Sequence, residues 1–466
     1  MTQHHTSAPD LDRVLDRAAS AARPLRHTSP ATRASWLRAV ADSLDAAADT
    51  LVPLAMDESH LPETRLRGEL ARTTFQGRLF AERLESGALL SVHVDHADPD
   101  WPMGPRPDIR RTHVPLGPVL VFAASNFPFA FSVAGGDAVS ALAAGCPVVL
   151  KAHPGHPELS RATASQVIEA LASTGAPEGT FALIEGEQAG VSAVKDRRVK
   201  AIGFTGSTAG GRALFDLATS RPDPIPFYGE LGSTNPVVVT PAGWAKRGAE
   251  VATGFAASIT LGSGQFCTKP GVVLVPDAEA LLSSLPDMSA GPMLNDRIRS
   301  SFETSLARLS ETPGVEVAAE AARNDGGVRP TLLRTTAKAV IADPSLAETE
   351  VFGPAALLVE YASLDEVVEV LDGLGGTLTA TVQGGTTVDD DALRVLDLLS
   401  EHAGRVIWNE WPTGVTVSDA QQHGGPWPAT TAPTTTSVGT AAIHRFLRPI
   451  AWQNVPSAGL PVELRD

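Results

Sequence analysis

The fold is decided by residues 119–151, which read VLVFAASNFPFAFSVAGGDAVSALAAGCPVVLK. An apolar strand at Val119–Ala123 leads through a turn into a helix at 132–144, and a second strand follows at Pro147–Leu150. The same alternation recurs as far as a strand at Val199–Phe204. Apolar strands that alternate with helices predict a parallel sheet that helices cover on both faces. We therefore expect an α/β protein.

Polar or flexible positions follow three of these strands, at Asn126, Lys151 and Gly206. Because parallel sheets bind ligands at the carboxyl ends of their strands, we expect these positions to share one edge. Gly206 and Gly211 flank the start of a helix, whose free N–H groups and dipole suit a pyrophosphate. Their spacing matches neither the Gly-x-Gly-x-x-Gly fingerprint nor a P-loop, so this pair alone does not identify a cofactor.

The remaining segments surround this region. Residues 10–60 and 66–84 predict helices, and an alternating strand at Ile109–Val114 after a proline-rich stretch predicts an extended arm between subunits. Strands and helices then alternate again up to a strand at Arg405–Trp408, and a late strand is expected at Ser437–Ala442. The predicted domains are a dinucleotide-binding domain at 1–232, a catalytic domain at 233–425, and an oligomerisation strand with a C-terminal tail at 426–466.

Composition excludes several classes of protein. The 466 residues are 43% hydrophobic and 19% charged, which is typical of a globular chain with two to three domains. The net charge of −16 argues against binding to nucleic acid or to an anionic membrane. Signal-peptide and membrane-spanning patterns are not found. Two cysteines cannot form a disulfide framework, so we expect a cytoplasmic protein, and we expect no metal site.

One of the two cysteines, Cys267, lies in residues 261–271, which read LGSGQFCTKPG. Glycines let this segment turn tightly and approach a ligand, so the sulfur can be presented to a substrate as a nucleophile. From this stretch alone, a nucleophile and a buried cysteine that fills a small gap are equally good interpretations. The other cysteine, Cys146, precedes Pro147 at the start of a strand and is interpreted as a core residue.

Three further side chains each have a functional and a structural interpretation. Glu230 is either a base with a raised pKa or a buried acid that pairs with a backbone amide or an arginine. Asn126 either donates its amide to an oxyanion or stabilises its own turn. Lys151 is either a surface lysine or a cation for ribose hydroxyls or phosphate.

Four motifs occur in a fixed order: Phe204-Thr205-Gly206-Ser207, Glu230-Leu231-Gly232, Gly264-Gln265-Phe266-Cys267-Thr268 and Glu350-Val351-Phe352-Gly353-Pro354. Together they resemble the aldehyde dehydrogenase superfamily over nearly the whole chain. Segments 125–137, 151–154 and 423–426 resemble the branch that contains 2-oxoglutarate semialdehyde (2,5-dioxopentanoate) dehydrogenases. NADP-linked long-chain aldehyde dehydrogenases share part of this pattern. The resemblance implies two doubly wound parallel-sheet domains and a small β arm for oligomerisation, in a homodimer or homotetramer.

The resemblance also implies a role for each motif residue. Cys267 attacks the aldehyde, and the Asn126 amide with the Cys267 backbone N–H holds the oxyanion. Hydride transfer to the nicotinamide leaves a thioester, which is hydrolysed by water that Glu230 activates. On the cofactor side, Glu350 holds the nicotinamide ribose and Phe352 helps to place the ring. The residues that contact the adenosine and pyrophosphate are Lys151, Gly206, Ser207 and Gly211.

Two departures from the family pattern bear on specificity. Many NAD-preferring members have a glutamate three positions after the lysine, where this chain has Pro154, so NADP becomes the expected cofactor and NAD stays possible. Lys151 and Arg212 are the candidate cations for the 2′-phosphate. The usual Phe-Gly-Gly motif reads His423-Gly424-Gly425-Pro426, which weakens general rules for the substrate.

Several functions stay open at this point. The first is NADP-preferring oxidation of 2,5-dioxopentanoate to 2-oxoglutarate, for which Arg72 is a candidate cation. The second is oxidation of an apolar aldehyde in a tunnel of aromatic side chains, namely Phe127, Phe129, Phe131 and Phe266. The third is a CoA-acylating enzyme, against which Glu230 argues because that chemistry needs no hydrolytic base. The fourth is a catalytically silent protein, against which the presence of Cys267, Asn126 and Glu230 argues.

Overall fold

Three β-sheets form the framework of the residues that the structure, a computed structural model, describes, namely 5–89, 91–324 and 326–466. The helices are α1 (Ala8–Arg26), α2 (Pro30–Ala46), α3 (Ala48–Ser59), α4 (Glu63–Glu85), α5 (Gly136–Ala144), α6 (Pro157–Ser173), α7 (Glu187–Lys195), α8 (Thr208–Thr219), α9 (Pro241–Thr260), α10 (Ala278–Ser283), α11 (Asp296–Ser310), α12 (Ala337–Ala342), α13 (Ser345–Glu348), α14 (Leu364–Asp372) and α15 (Asp390–His402). The strands are β1 (His93–Asp95), β2 (Ile109–Pro115), β3 (Val119–Phe122), β4 (Val148–Lys151), β5 (Phe181–Ile184), β6 (Ala201–Thr205), β7 (Phe227–Glu230), β8 (Val237–Val239), β9 (Val272–Val275), β10 (Glu316–Glu320), β11 (Thr331–Thr336), β12 (Ala355–Glu360), β13 (Thr377–Gln383), β14 (Ala403–Trp408) and β15 (Leu447–Gln453). Short 3-10 helices lie at Leu261–Gly264, Thr440–Phe446, Ser457–Gly459 and Val462–Leu464.

The first sheet is parallel and has the strand order β5-β4-β3-β6-β7. Phe122 at the end of β3 is level with Lys151 on one side and with Phe204 on the other. The strands that precede Asn126, Lys151 and Gly206 are therefore neighbours that end at the same edge, as the sequence predicts. One difference is the helix expected from residue 132, because α5 begins only at Gly136 and residues 125–135 form turns.

The second sheet has the order β10-β11-β12-β9-β8-β13-β14 and is parallel except for β10, which pairs antiparallel at the edge. Its fully buried strand β13 has no counterpart among the predicted strands. The strand was not predicted because its sequence, TLTATVQ, is rich in polar residues, which are not typical of a buried strand in the middle of a sheet. The buried hydroxyl of Thr379 donates to Asn235 Oδ1 at 3.1 Å, so a threonine is accommodated where an apolar residue is expected.

The third sheet joins distant segments in the antiparallel order β1-β2-β15. The predicted arm strand is present as β2, but the prediction of a late strand at Ser437–Ala442 is wrong. There, Gly439 has a φ of 87° and starts the 3-10 helix Thr440–Phe446, whose apolar side chains pack into the core. The strand begins at Leu447, immediately after this helix. No helix in the described ranges is long and apolar enough to cross a bilayer.

Candidate active site

The turn that carries Cys267 follows α9 and has an unusual backbone. Gly262, Ser263 and Gly264 all have a positive φ, between 55° and 67°. Two of these positions are glycines, for which such angles carry no steric cost. A Cβ at Gly264 would overlap the backbone of Gly353, so this glycine lets the cysteine turn approach the segment after Glu350. Two of the sequence motifs are thereby brought into contact.

Cys267 is partly exposed as a residue at this turn, although its thiol is surrounded by protein. Burial raises its pKa to about 12, and the charges of Glu230 and Glu350 act in the same direction, whereas the residue's own backbone N–H opposes them. The resting group is therefore a thiol rather than a thiolate at neutral pH. Its Sγ lies 3.6 Å from Nε2 of His423.

His423 is a contact that the sequence interpretation missed. Burial lowers its pKa to about 3, and the positive charges of Arg405, Arg72 and Arg445 add to that effect, so the imidazole is neutral. Its Nδ1 has no hydrogen-bond partner among the described residues. The sequence does show that a histidine stands where the family pattern has the phenylalanine of Phe-Gly-Gly. It does not show that this histidine contacts Cys267, which lies 156 residues away in sequence.

The Asn126 side chain is directed at the cysteine turn. Its Nδ2 donates to the backbone oxygen of Gln265 at 3.1 Å, two residues before Cys267. The loop is held from α4, where Arg65 Nη2 donates to the Asn126 oxygen at 2.9 Å. Glu69 Oε1 accepts from the N–H groups of Phe129 and Ala130 at 2.8 and 3.0 Å. These bonds fix the amide against the turn.

Glu230 ends β7 and is 3% exposed. Its Oε1 pairs with Nη2 of the fully buried Arg445, whose Nη1 contacts Asp137 Oδ1 at 2.9 Å. Oε2 has no hydrogen-bond partner among the described residues. Burial raises the pKa of Glu230 to about 7; Arg445 opposes the shift and Asp137 adds to it. The arginine pair of the structural interpretation is thus present, together with the raised pKa that the functional interpretation requires.

Glu350 and Lys269 form a second group of charges near the cysteine turn. A Cβ at Gly232 would overlap the Glu350 carboxylate, which explains the glycine after Glu230-Leu231. Burial raises the pKa of Glu350, while the Lys269 charge and the Ser233 backbone N–H oppose that shift. Lys269 is buried, donates from Nζ to the Ala355 oxygen at 2.6 Å, and was not among the predicted site residues. Phe352, two residues after Glu350, is half-buried.

The edge of the first sheet offers a cradle that fits a pyrophosphate. Gly206 and Ser207 are exposed, and Ser207 Oγ caps α8 by accepting from the Gly210 N–H at 3.3 Å. A Cβ at Gly211 would overlap Leu231, so this glycine lets α8 pack closely on the strand region. An open helix N-terminus of this kind favours an anion.

The two candidate cations for a 2′-phosphate differ in their surroundings. Lys151 is half-buried, and burial lowers its pKa; the charge of Glu187 opposes this shift and that of Arg297 reinforces it. Arg212, by contrast, is exposed and pairs with Asp216 at 2.8 Å. Arg297, on α11, therefore lies near Lys151 and was not predicted from the sequence.

Three of the four predicted tunnel phenylalanines form one cluster. The ring of Phe127 lies 5.3 Å from that of Phe131 and 5.2 Å from that of Phe266. Phe131 in turn lies 6.2 Å from the His423 ring. The prediction fails for Phe129, which packs in the core with the N-terminal helices.

Comparison with known proteins agrees with this geometry. The profile of the Aldehyde dehydrogenase family matches residues 1–426. The chain is 46% identical to alpha-ketoglutaric semialdehyde dehydrogenase 2 of Azospirillum brasilense, over 98% of this chain and 89% of the relative. It is 40% identical to alpha-ketoglutaric semialdehyde dehydrogenase of Acinetobacter baylyi, with the same two coverages.

Solved structures show the same fold. An NAD-dependent aldehyde dehydrogenase from Sinorhizobium meliloti superposes with a TM-score of 0.81 at 23% identity, over 98% of this chain and 89% of that one. A 3,6-anhydro-L-galactose dehydrogenase in complex with NAP superposes with a TM-score of 0.81 at 21% identity, over 96% and 92%. On its sequence and its fold, this chain belongs to the aldehyde dehydrogenase family.

Proposed function

We propose that the chain oxidises 2,5-dioxopentanoate to 2-oxoglutarate, with NAD(P)⁺ as the hydride acceptor and Cys267 as the nucleophile. The observation that carries the proposed chemistry is the hydrogen bond from the Asn126 amide to the Gln265 oxygen, 3.1 Å long, two residues before the partly exposed Cys267. The substrate is supported by two relatives that are 46% and 40% identical and are named for this semialdehyde.

In the first step the Cys267 thiol gives its proton to a water molecule while its sulfur attacks the aldehyde carbon, giving a thiohemiacetal oxyanion. A side-chain amide has two N–H bonds, and one from Asn126 is already donated to Gln265. The other is free to donate to the oxyanion, together with the backbone N–H of Cys267. The neutral His423, whose Nε2 lies 3.6 Å from Sγ, can accept a hydrogen bond from the thiol in the tautomer that is protonated at Nδ1 and so orient the sulfur.

The second step needs a base for water. The hydride acceptor would be a nicotinamide held near Glu350 and Phe352, and the acyl group would then remain on Cys267 as a thioester. Glu230 has an unpaired Oε2 that can accept a proton from water, and its pKa of about 7 keeps a large fraction ionised at neutral pH. Arg445 retains the other oxygen and so limits how the carboxylate can turn.

NADP is the preferred cofactor in this proposal. Pro154 removes the carboxylate expected at its own position, and Lys151 and the nearby Arg297 supply positive charge that Glu187 offsets only in part. Arg212 is a weaker candidate because Asp216 already neutralises it. Lys151, Gly206, Ser207 and Gly211 would hold the adenosine and pyrophosphate, and Glu350 with Phe352 the nicotinamide ribose and ring.

Steady-state kinetics with 2,5-dioxopentanoate, run with NAD and with NADP, test the proposal. We expect a kcat/KM at least 10-fold higher than for hexanal, and a higher kcat/KM with NADP than with NAD. The cluster of Phe127, Phe131 and Phe266 favours a second candidate, oxidation of apolar aldehydes. A preference for hexanal would select that candidate and reject the first.

Assembly and location belong to the same proposal. β1 is exposed along its length at one edge of the sheet β1-β2-β15, which suits strand pairing in a homodimer or homotetramer. Light scattering after size exclusion tests this, and a monomer would reject it. We place the enzyme in the cytoplasm because both cysteines are free. The proposed domains at 1–232 and 233–425 are supported by the first two sheets, which lie within these ranges, whereas the proposed segment 426–466 adds β15 to a sheet with β1 and β2.

A further inference from the structure

One face of α4 is directed at the loop that carries Asn126. Arg65, Glu69 and Arg72 are spaced by four and three residues, so they share that face. Arg65 and Glu69 are the residues that hold the loop from 126 to 130 through hydrogen bonds. The third member, Arg72, makes none of these bonds.

Arg72 is half-buried and lacks an acceptor. Its Nη1 and Nη2 are buried, and neither has a hydrogen-bond partner among the described residues. The other arginines of α4 beyond this face are exposed or partly exposed, and each forms ion pairs: Arg67 with Asp49 and Glu63, Arg78 with Asp42 and Asp45, and Arg83 with Glu82 and Asp419. A buried guanidinium without an acceptor is costly, which indicates that an anion completes this site.

A short chain of contacts connects Arg72 with the sulfur. Its guanidinium carbon lies 5.5 Å from the centre of the Phe131 ring, and that ring lies 6.2 Å from the ring of His423. His423 in turn lies 3.6 Å from Cys267 Sγ. Burial lowers the pKa of Arg72 and the charges of Glu69 and Cys267 oppose that shift, which agrees with a position near the sulfur.

A second positive charge faces the same region. Arg405, on β14, is fixed by its Nη2, which donates to the oxygens of Pro412 and Gly414 at 2.9 and 2.8 Å. Its Nε is buried and has no partner in the described part of the chain. Burial lowers the pKa of Arg405, and the charges of Cys267 and Glu410 oppose that shift. Two guanidinium groups thus act on Cys267, and the Phe131 ring packs between Arg72 and His423.

We propose that Arg72, assisted by the charge of Arg405, binds the terminal carboxylate of the substrate, so that the site selects short aliphatic aldehydes with an anionic far end. The inference rests on the proposed function and names the group that recognises its substrate. A planar guanidinium with two free nitrogens matches a carboxylate in a bidentate pair. The phenylalanines then contact the methylenes between the aldehyde and the carboxylate.

The test compares 5-oxopentanoate with pentanal, which have equal chain length and differ in the terminal carboxylate. In Arg72→Met the kcat/KM for 5-oxopentanoate should fall about 100-fold, mainly through KM, while that for pentanal stays within about twofold. Arg72→Lys keeps the charge and should recover part of the loss. Arg78→Met, on the same helix but in an exposed ion pair, is the matched control and should leave both values unchanged.

Equal losses for both aldehydes in Arg72→Met, or a carboxylate preference that survives the substitution, would overturn the inference. A wild type without any preference for 5-oxopentanoate over pentanal would overturn it as well. If the preference exists and disappears in Arg72→Met, yet 2,5-dioxopentanoate is not oxidised, the carboxylate site stands and the proposed substrate is wrong. A thermal unfolding curve for each variant confirms that the protein is folded.

Discussion

Cys146 and Cys267 are the same side chain in two different surroundings. Burial raises both pKa values, to about 11 and about 12 respectively. Cys146 is fully buried between α5 and β4, and its sulfur donates to the Phe446 oxygen at 3.4 Å. Cys267 is partly exposed and has His423, its own N–H and the Asn126 loop beside it. A raised pKa therefore does not distinguish a structural cysteine from a candidate nucleophile. The two residues differ in their exposure and in the hydrogen-bond donors beside them.

The strongest test of this comparison is the loss of the proposed nucleophile. Cys267→Ala should lower aldehyde oxidation by more than about 10⁴-fold, because no other described group can form the thioester. Cofactor binding, followed by quenching of tryptophan fluorescence, should survive. Turnover retained within 100-fold of the wild type would contradict the assignment.

Replacing the proposed base should separate the two chemical steps at Cys267. Glu230→Gln keeps the size of the side chain but cannot accept a proton, so steady-state turnover should fall about 100-fold or more. Stopped-flow absorbance should still show one reduced cofactor per site in a burst. A variant without a burst would place Glu230 before hydride transfer instead of after it.

The pH profile should reflect the same carboxylate. The pKa of Glu230 is raised to about 7, and only the ionised form can act as a base. The deacylation rate should therefore rise about tenfold per pH unit below pH 7 and level off above it, as measured by the steady-state rate at saturating substrate. In Glu230→Gln this limb should be absent; an unchanged profile in the variant would assign the titration to another group.

The smallest effect is expected at the other cysteine. Cys146→Ser should change kcat/KM by less than about twofold, since this side chain packs in the core and bonds the Phe446 oxygen rather than a proposed catalytic group. Its hydroxyl is more polar than a thiol, so the free energy of unfolding should fall by about 1–3 kcal/mol, measured by urea denaturation. A large loss of activity without loss of stability would remove the contrast between the two cysteines.

Much of this arrangement is predictable from sequence because it is local. The strands of the first sheet are apolar runs that end near Asn126, Lys151 and Gly206. The turn that carries Cys267 is recognisable from its glycines. The parts that fail depend on long-range packing. β13 is a threonine-rich strand whose burial depends on partners such as Asn235.

The charged groups around the site illustrate the same limit. The helical pattern of α4 gives no indication that Arg72 is turned inward while Arg78 is paired on the surface, because the difference depends on how the helix docks. The contact of His423 with Cys267 and that of Arg445 with Glu230 join residues 156 and 215 positions apart. No periodicity or local motif encodes such distances.

The most direct measurement is mass spectrometry of peptides from the Glu230→Gln enzyme, quenched in acid after one turnover with NADP and 2,5-dioxopentanoate. The account predicts an acyl adduct on the peptide that contains Cys267 and an unmodified peptide around Cys146. An adduct on Cys146, or a reduced cofactor without any adduct on Cys267, would contradict it.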